Sequence, residues 1–141
     1  MYAPRPRTDP TMSGWSETTG AALMILVAGP YRSGTNGAPE LIQANVDAMT
    51  ATSLELYRRG HLPVMGEWFA LPLIEAAEAS GNANAFEELF HPIAESVLAR
   101  CDACLRIGGA SSGADRMVRV ASDLGKTVFR SLSDVPSAMD R

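Results

Sequence analysis

The chain is poor in the residues that staple small proteins together. It has two cysteines and two histidines in 141 residues. Cys101 and Cys104 are spaced C-x-x-C, but no second such pair and no paired His completes a zinc site, so no metal and no cofactor is expected. The same spacing occurs in thiol redox pairs, which follow a strand and open a helix. Here it stands at the entry to Ala103–Ile107, a segment that reads as a strand. On a strand these two positions face opposite ways, so the thiols diverge and are read as reduced residues of a cytosolic core. Positive charge is also scarce. Twelve Lys and Arg stand against sixteen Asp and Glu, a net charge of −4. That excludes a nonspecific binder of nucleic-acid polymers and leaves small nucleotides open, since these need only local donors. No apolar run approaches the roughly 20 residues of a membrane span. Residues 1–20 lack the apolar centre of a signal peptide, and their three Pro and two Gly suit a disordered tail over 1–21. Within that tail Trp15 is the side chain suited to docking, and Met12 or Met24 is a candidate start. The remainder, 22–141, is expected to form a single cytoplasmic domain.

What is present is a chain that is 46% hydrophobic and 20% charged, enough apolar material for one core without staples. Ala22–Ala28 is a continuous apolar run of strand length, as in a strand buried on both faces. Glu40–Arg59 carries a helical stripe with Pro39 near its first turn and Gly60 closing it. Leu62–Met65 is a second strand. Leu71–Ala79 and Ala85–Arg100 read as helices, the latter with Pro92 as a point of bending. Asp102–Ile107 is a third strand, Ala114–Leu124 a helix closed by Gly125, and Thr127–Arg130 a last strand. Ser133–Met139 is expected as a terminal helix capped by Ser133. Alternating strands and helices predict an α/β fold, a flavodoxin-like or Rossmann-like three-layer sandwich with a mostly parallel sheet of four to five strands. In such sheets ligands sit beyond the carboxyl ends of the strands. Gly29–Gly37, Gly66–Trp68 and Gly108–Gly113 converge there.

The first loop, GPYRSGTNG, lacks the Lys-Ser/Thr of a Walker A loop, and no G-x-G-x-x-G lies near it. It keeps generic anion chemistry. Gly29 and Gly34 let backbone N–H groups approach a ligand, Arg32 offers a fork for phosphate or carboxylate, and Ser33 and Thr35 add hydroxyls. It also reads as a plain turn with an exposed Arg. The second loop, GGASSGAD, offers hydroxyls and free N–H groups, or simply a cap for the next helix at Ser112.

The order of VAGPYRSG, R-R-G-H-x-P-V, C-D-A-C-L-R-I, S-S-G-A and L-G-K-T-V resembles the nucleoside 2-deoxyribosyltransferase-like superfamily. Within it the chain looks closest to small proteins of a domain of unknown function, and more distantly like deoxynucleoside 5′-monophosphate N-glycosidases. The likeness runs from Met24 to Val128. It implies a five-stranded flavodoxin-like sheet, a homo-oligomer with sites near its interfaces, and cleavage or transfer at the N-glycosidic bond of a nucleoside or nucleotide. It assigns 5′-phosphate binding to Tyr31, Arg32, Ser33 and Gly34 with Ser111 and Gly113.

Two family carboxylates are replaced. The glutamate expected four residues after the glycine of the second loop is Met117, which has no charge to act as nucleophile or base. The aspartate that handles the base is Ala94. Candidate substitutes are Glu67, Asp115, Glu95, His91 and Asp102, the last also suited to a backbone hydrogen bond at its strand. Glu67 and Asp115 are preferred because both are expected at the carboxyl edge of the sheet. Beside Glu67, the cluster Met65, Trp68, Phe69 and Leu71 reads as a stacking wall for a base, or as core or dimer interface. Residues 86–98 are apolar enough for a subunit interface. Three functions remain open: an N-glycosidase or deoxyribosyltransferase, a catalytically silent nucleotide-binding or sensing module, and an oligomeric scaffold with an empty pocket.

Overall fold

The computed structural model describes residues 20–138. Trp15 and the end of the expected terminal helix, Met139, lie outside the described residues. The elements run β1 (Met24–Ala28), α1 (Pro39–Arg58), β2 (Leu62–Val64), α2 (Gly66–Ala79), α3 (Ala85–Ala99), β3 (Ala103–Arg106), α4 (Ser112–Asp123) and β4 (Thr127–Phe129), followed by a 3-10 turn at Leu132–Asp134. The strands form one four-stranded parallel sheet in the order β2-β1-β3-β4. The fifth strand that the resemblance implies is not among the described residues. The fold is α/β, a flavodoxin-like or Rossmann-like three-layer sandwich.

The layers follow from the period-two alternation of β1. Ile25 and Val27 face one side, where they meet Met49 and Leu56 of α1. Leu26 and Ala28 face the other, against Ala94 and Leu98 of α3 and Met117 and Ala121 of α4. Both faces are buried, which is why this strand reads as an unbroken apolar run. α2 lies on α3 through a third cluster built on Ala70, Ile74 and Ala85. Helix ends follow their sequence signals. Pro39 opens α1. Gly60, at φ +96°, ends it: Gly60 N–H donates to Tyr57 C=O and His61 N–H to Leu56 C=O, the paired bonds of a Schellman motif. Gly125 closes α4 in the same way.

α2 begins at Gly66, five residues before the expected start at Leu71, so Glu67 lies in a helical first turn and not in a loop. Pro72 and Pro92 both sit inside helices without ending them. The expected terminal helix is absent over its described residues. Pro136 disfavours the helical conformation at Val135, which is extended, and only the 3-10 turn forms. The chain then runs back as an extended segment. Ala138 bridges Gly20 and donates its N–H to Arg59 C=O, while Arg59 Nη1 donates to the carbonyls of Leu132 and Val135. The thiols do not diverge. Cys101 precedes β3, so strand alternation does not apply to it, and both cysteines share one core cluster. Burial pushes them up to about 11 and about 12, out of the range of reactive thiolates. Asp102 Oδ2 accepts from Met24 N–H at 2.8 Å, the backbone role open to it. Among the described residues no helix is long and apolar enough to cross a membrane, and no group of three or more His, Cys, Asp or Glu is placed to hold a metal.

His61 ties the returning chain to the sheet. It is fully buried. Its Nδ1 accepts from Leu23 N–H at 3.0 Å, so the ring proton sits on Nε2, which donates to Pro136 C=O at 2.6 Å. His61→Ala removes both bonds and empties a fully buried site, leaving the partly buried Leu23 N–H and Pro136 C=O without these partners. The expected loss is about 2–4 kcal/mol, read by urea unfolding, with the fold retained.

Candidate functional site

The strand order changes direction between β1 and β3, and a cavity of about 190 Å³ opens beyond their carboxyl ends. It has room for on the order of ten waters, or a ligand part of similar size. The expected convergence holds: the first loop contributes Gly29, Tyr31, Arg32 and Ser33, the start of α2 Gly66 and Glu67, and the second loop Ser111, Ser112 and Gly113.

The first loop is built before any ligand arrives. Thr35, buried, donates from its hydroxyl to Arg32 C=O at 2.6 Å and accepts from Gly37 N–H. It therefore serves the loop itself and does not line the cavity. Asn45 of α1 donates to Tyr31 C=O at 2.8 Å and to Ser33 C=O at 3.4 Å. In the sequence Asn45 reads only as part of a helical stripe; a polar residue on that stripe was the available signal. The loops are joined by a single bond, Ser33 Oγ donating to Ser111 Oγ at 3.1 Å. Ser111, not Ser112, is the N-cap of α4, accepting from Ala114 N–H at 3.1 Å. That leaves Ser112 exposed at the cavity rim.

One wall is aromatic. Tyr31, Phe86 and Phe90 lie nearly parallel, with centroids 5.9 Å apart for Tyr31–Phe86, 6.0 Å for Tyr31–Phe90 and 4.9 Å for Phe86–Phe90. The Arg32 guanidinium sits 3.7 Å above the Phe86 ring and has no carboxylate partner among the described residues. Phe86 and Phe90 read in the sequence only as a helical stripe, because nothing local tells which part of that stripe meets the first loop. Of the two readings of Trp68 and Phe69, the stacking wall does not form: both are 46% exposed and neither lines the cavity.

Of the two preferred carboxylates, the structure brings in one. Glu67 is 7% exposed in the cavity wall, and burial pushes its carboxyl from 4.5 up to about 7, partly offset by a backbone hydrogen bond. The Tyr31 phenol is raised, first by burial, with Arg32 lowering and Glu67 raising it. Asp115 does not line the cavity. Its carboxylate accepts from Arg106 Nε at 3.1 Å, and its side chain is 56% exposed. The physical reason is helical phase: two residues turn the helix by about 200°, so Asp115 faces away when Met117 faces in. Met117, 5% exposed, indeed lines the cavity. Glu95 pairs with Arg116 at 2.7 Å, outside the lining. His91 lines the cavity, as does Ala94, whereas Gly34 does not. No family model matches the chain, and no curated protein matches it.

A carboxyl raised by folding binds its proton more tightly in the folded state than in the unfolded one. Stability is then present below the ordinary value of 4.5 and is lost as pH climbs through about 7. Glu67→Gln cannot ionise and escapes that loss. Between pH 5 and 8 the wild type is expected to lose roughly 2–3 kcal/mol more than the Gln variant. Urea unfolding of both proteins at the two pH values checks it.

Proposed function

We propose that the chain is a cytosolic nucleotide-handling protein that cleaves or transfers the N-glycosidic bond of a deoxynucleoside or its 5′-monophosphate. The observation that carries this reading is Glu67: a carboxyl titrating near 7 in a half-closed cavity, with Tyr31 and the unpaired Arg32 beside it and an aromatic wall above. An acid with that pKa is protonated often enough at neutral pH to deliver a proton to a departing base, and ionised often enough to support positive charge growing on the sugar. Aromatic faces suit a stacked base. Arg32, Ser33, Ser112 and the N–H groups opening α4 suit a phosphate. The order of sequence motifs supports the same class.

A second reading rests on Met117. Its thioether occupies the wall where the resembled family carries its acid, which favours a protein that binds the nucleotide without cutting it. Homo-oligomerisation belongs to either reading. Trp68, Phe69 and Leu73 are about half exposed on α2, beside a groove bordered by Ile93 and Val97 of α3, and a second copy covers this face.

Incubation with a panel of deoxynucleosides and their 5′-monophosphates, followed by chromatography of free base, tests the activity. Release is expected, with Glu67→Gln lowering kcat/KM by about 10²–10⁴. Arg32→Ala is expected to weaken monophosphate binding by about 10–100-fold; unchanged affinity removes the phosphate assignment. Binding without release at any pH gives the second reading. Sedimentation tests the surface: the wild type is expected to assemble and Phe69→Glu to remain monomeric.

A further inference from the structure

The cavity lining holds a further titratable side chain that the chemistry above leaves idle. His91 projects from α3 into the lining. Its ring is fixed on two sides. It stands edge to face with Phe90, centroids 5.4 Å apart at 86°. Its Cε1–Nε2 edge lies against Gly113, where a Cβ would stand 3.2 Å from Cε1 and 3.6 Å from Nε2. Any side chain at Gly113 would push on this ring, so glycine there keeps the imidazole in place.

The two ring nitrogens have different surroundings. Nδ1 is shut away from solvent and has no hydrogen-bond partner among the described residues. A proton on Nδ1 would be an orphaned donor in the interior, the rarer and more costly kind of unpaired group. The proton therefore belongs on Nε2, the edge beside Gly113 and the cavity. A second proton is opposed from the same side. Burial, and then the Arg116 guanidinium, hold His91 below the ordinary histidine range, with Glu95 acting in the opposite sense. Glu95 is itself paired to Arg116. Burial and Arg116 both favour the uncharged ring.

We propose that His91 is a specificity-determining residue of this cavity: an uncharged imidazole whose Nε2–H donates a hydrogen bond to a ligand oxygen seated against the amino end of α4. This rests on the reading of the cavity as a nucleotide pocket, in which that oxygen is a phosphate oxygen. It leaves Arg32 as the cation of the site and gives His91 a directional role. A neutral donor selects for an acceptor at one place, and it does so without adding to net charge.

Nitrogen-15 spectra of the His91 ring in the full chain between pH 6.5 and 8, combined with titration of thymidine 5′-monophosphate and 2-deoxyribose 5-phosphate into wild type, His91→Gln and His91→Phe, test it. The expected result is a ring protonated on Nε2 and bare on Nδ1, whose signals move when either phosphate is added. Gln, which offers an N–H at similar reach, should keep affinity within about threefold, and Phe should weaken it about tenfold, the equivalent of one hydrogen bond. A proton on Nδ1, a doubly protonated ring at pH 7, or signals unmoved by a phosphate that binds overturns the proposal from the wild type alone. So does a Gln variant as weak as the Phe variant, or a Phe variant as strong as wild type. Each of these leaves the nucleotide reading standing. Failure of both phosphates to bind wild type overturns the phosphate assignment of the pocket and this proposal together.

Discussion

The backbone of Gly66 lies so close to α3 that one methyl group has no room: a Cβ there would stand 2.8 Å from the Cβ of Ala94. The site depends on that approach. β2 ends at Val64, Met65 is extended, and α2 starts at once with its first turn pressed against α3. Glu67 is thereby held in the wall of the cavity and not out in solvent. Two opposing effects then act on its carboxyl. The amino end of a helix favours a carboxylate by about 0.3–1 kcal/mol. Burial disfavours it, and a rise from 4.5 to about 7 corresponds to roughly 3 kcal/mol. Burial wins, and an ordinary first-turn glutamate becomes an acid poised at neutral pH.

Most of the fold was legible in the sequence, because in a parallel sheet buried on both faces the strands are marked by composition alone. Met24–Ala28 and the run ending at Arg106 could hardly be anything else. Helix ends carrying Gly60 and Gly125 were equally plain, since only a glycine meets the positive φ without strain. Failures came where a residue's local meaning and its tertiary meaning part. Gly66 looks like loop punctuation, and its role is to admit Ala94. Ser133 looks like a cap, but Pro136 denies it a helix. At the site, the converging loops were legible from topology. The aromatic wall was not, because Phe86 and Phe90 meet Tyr31 only once α3 is laid across the sheet. Asp115 was misplaced for a simpler reason: its helix opens at the carboxyl edge as expected, but the helical phase turns its side chain away from the cavity.

The loops divide their polar groups between two tasks. Thr35, Asn45, Ser111 and Arg106 satisfy the backbone or one another, and in doing so hold the loops in place before a ligand binds. Preorganisation of this kind lowers the ordering entropy that binding would otherwise have to overcome. Arg32 and Ser112 of the loops, with Glu67 and His91 of the neighbouring helices, line the cavity instead.

Two apolar residues of the cavity wall also fit one another. Ala94 and Met117 lie in the same apolar cluster, on facing elements α3 and α4. With both positions apolar, Glu67 is the sole carboxyl lining the cavity among the described residues. A second carboxylate in so small a volume would compete with it for one proton, and the pair would titrate together, one far below neutrality and one above. A lone buried carboxyl has no such partner, and desolvation, offset in part by a backbone hydrogen bond, raises it. Met117 brings no charge of its own to the wall opposite. It deepens the apolar surroundings that raise Glu67, and in the proposed reading the acid of this site belongs to α2.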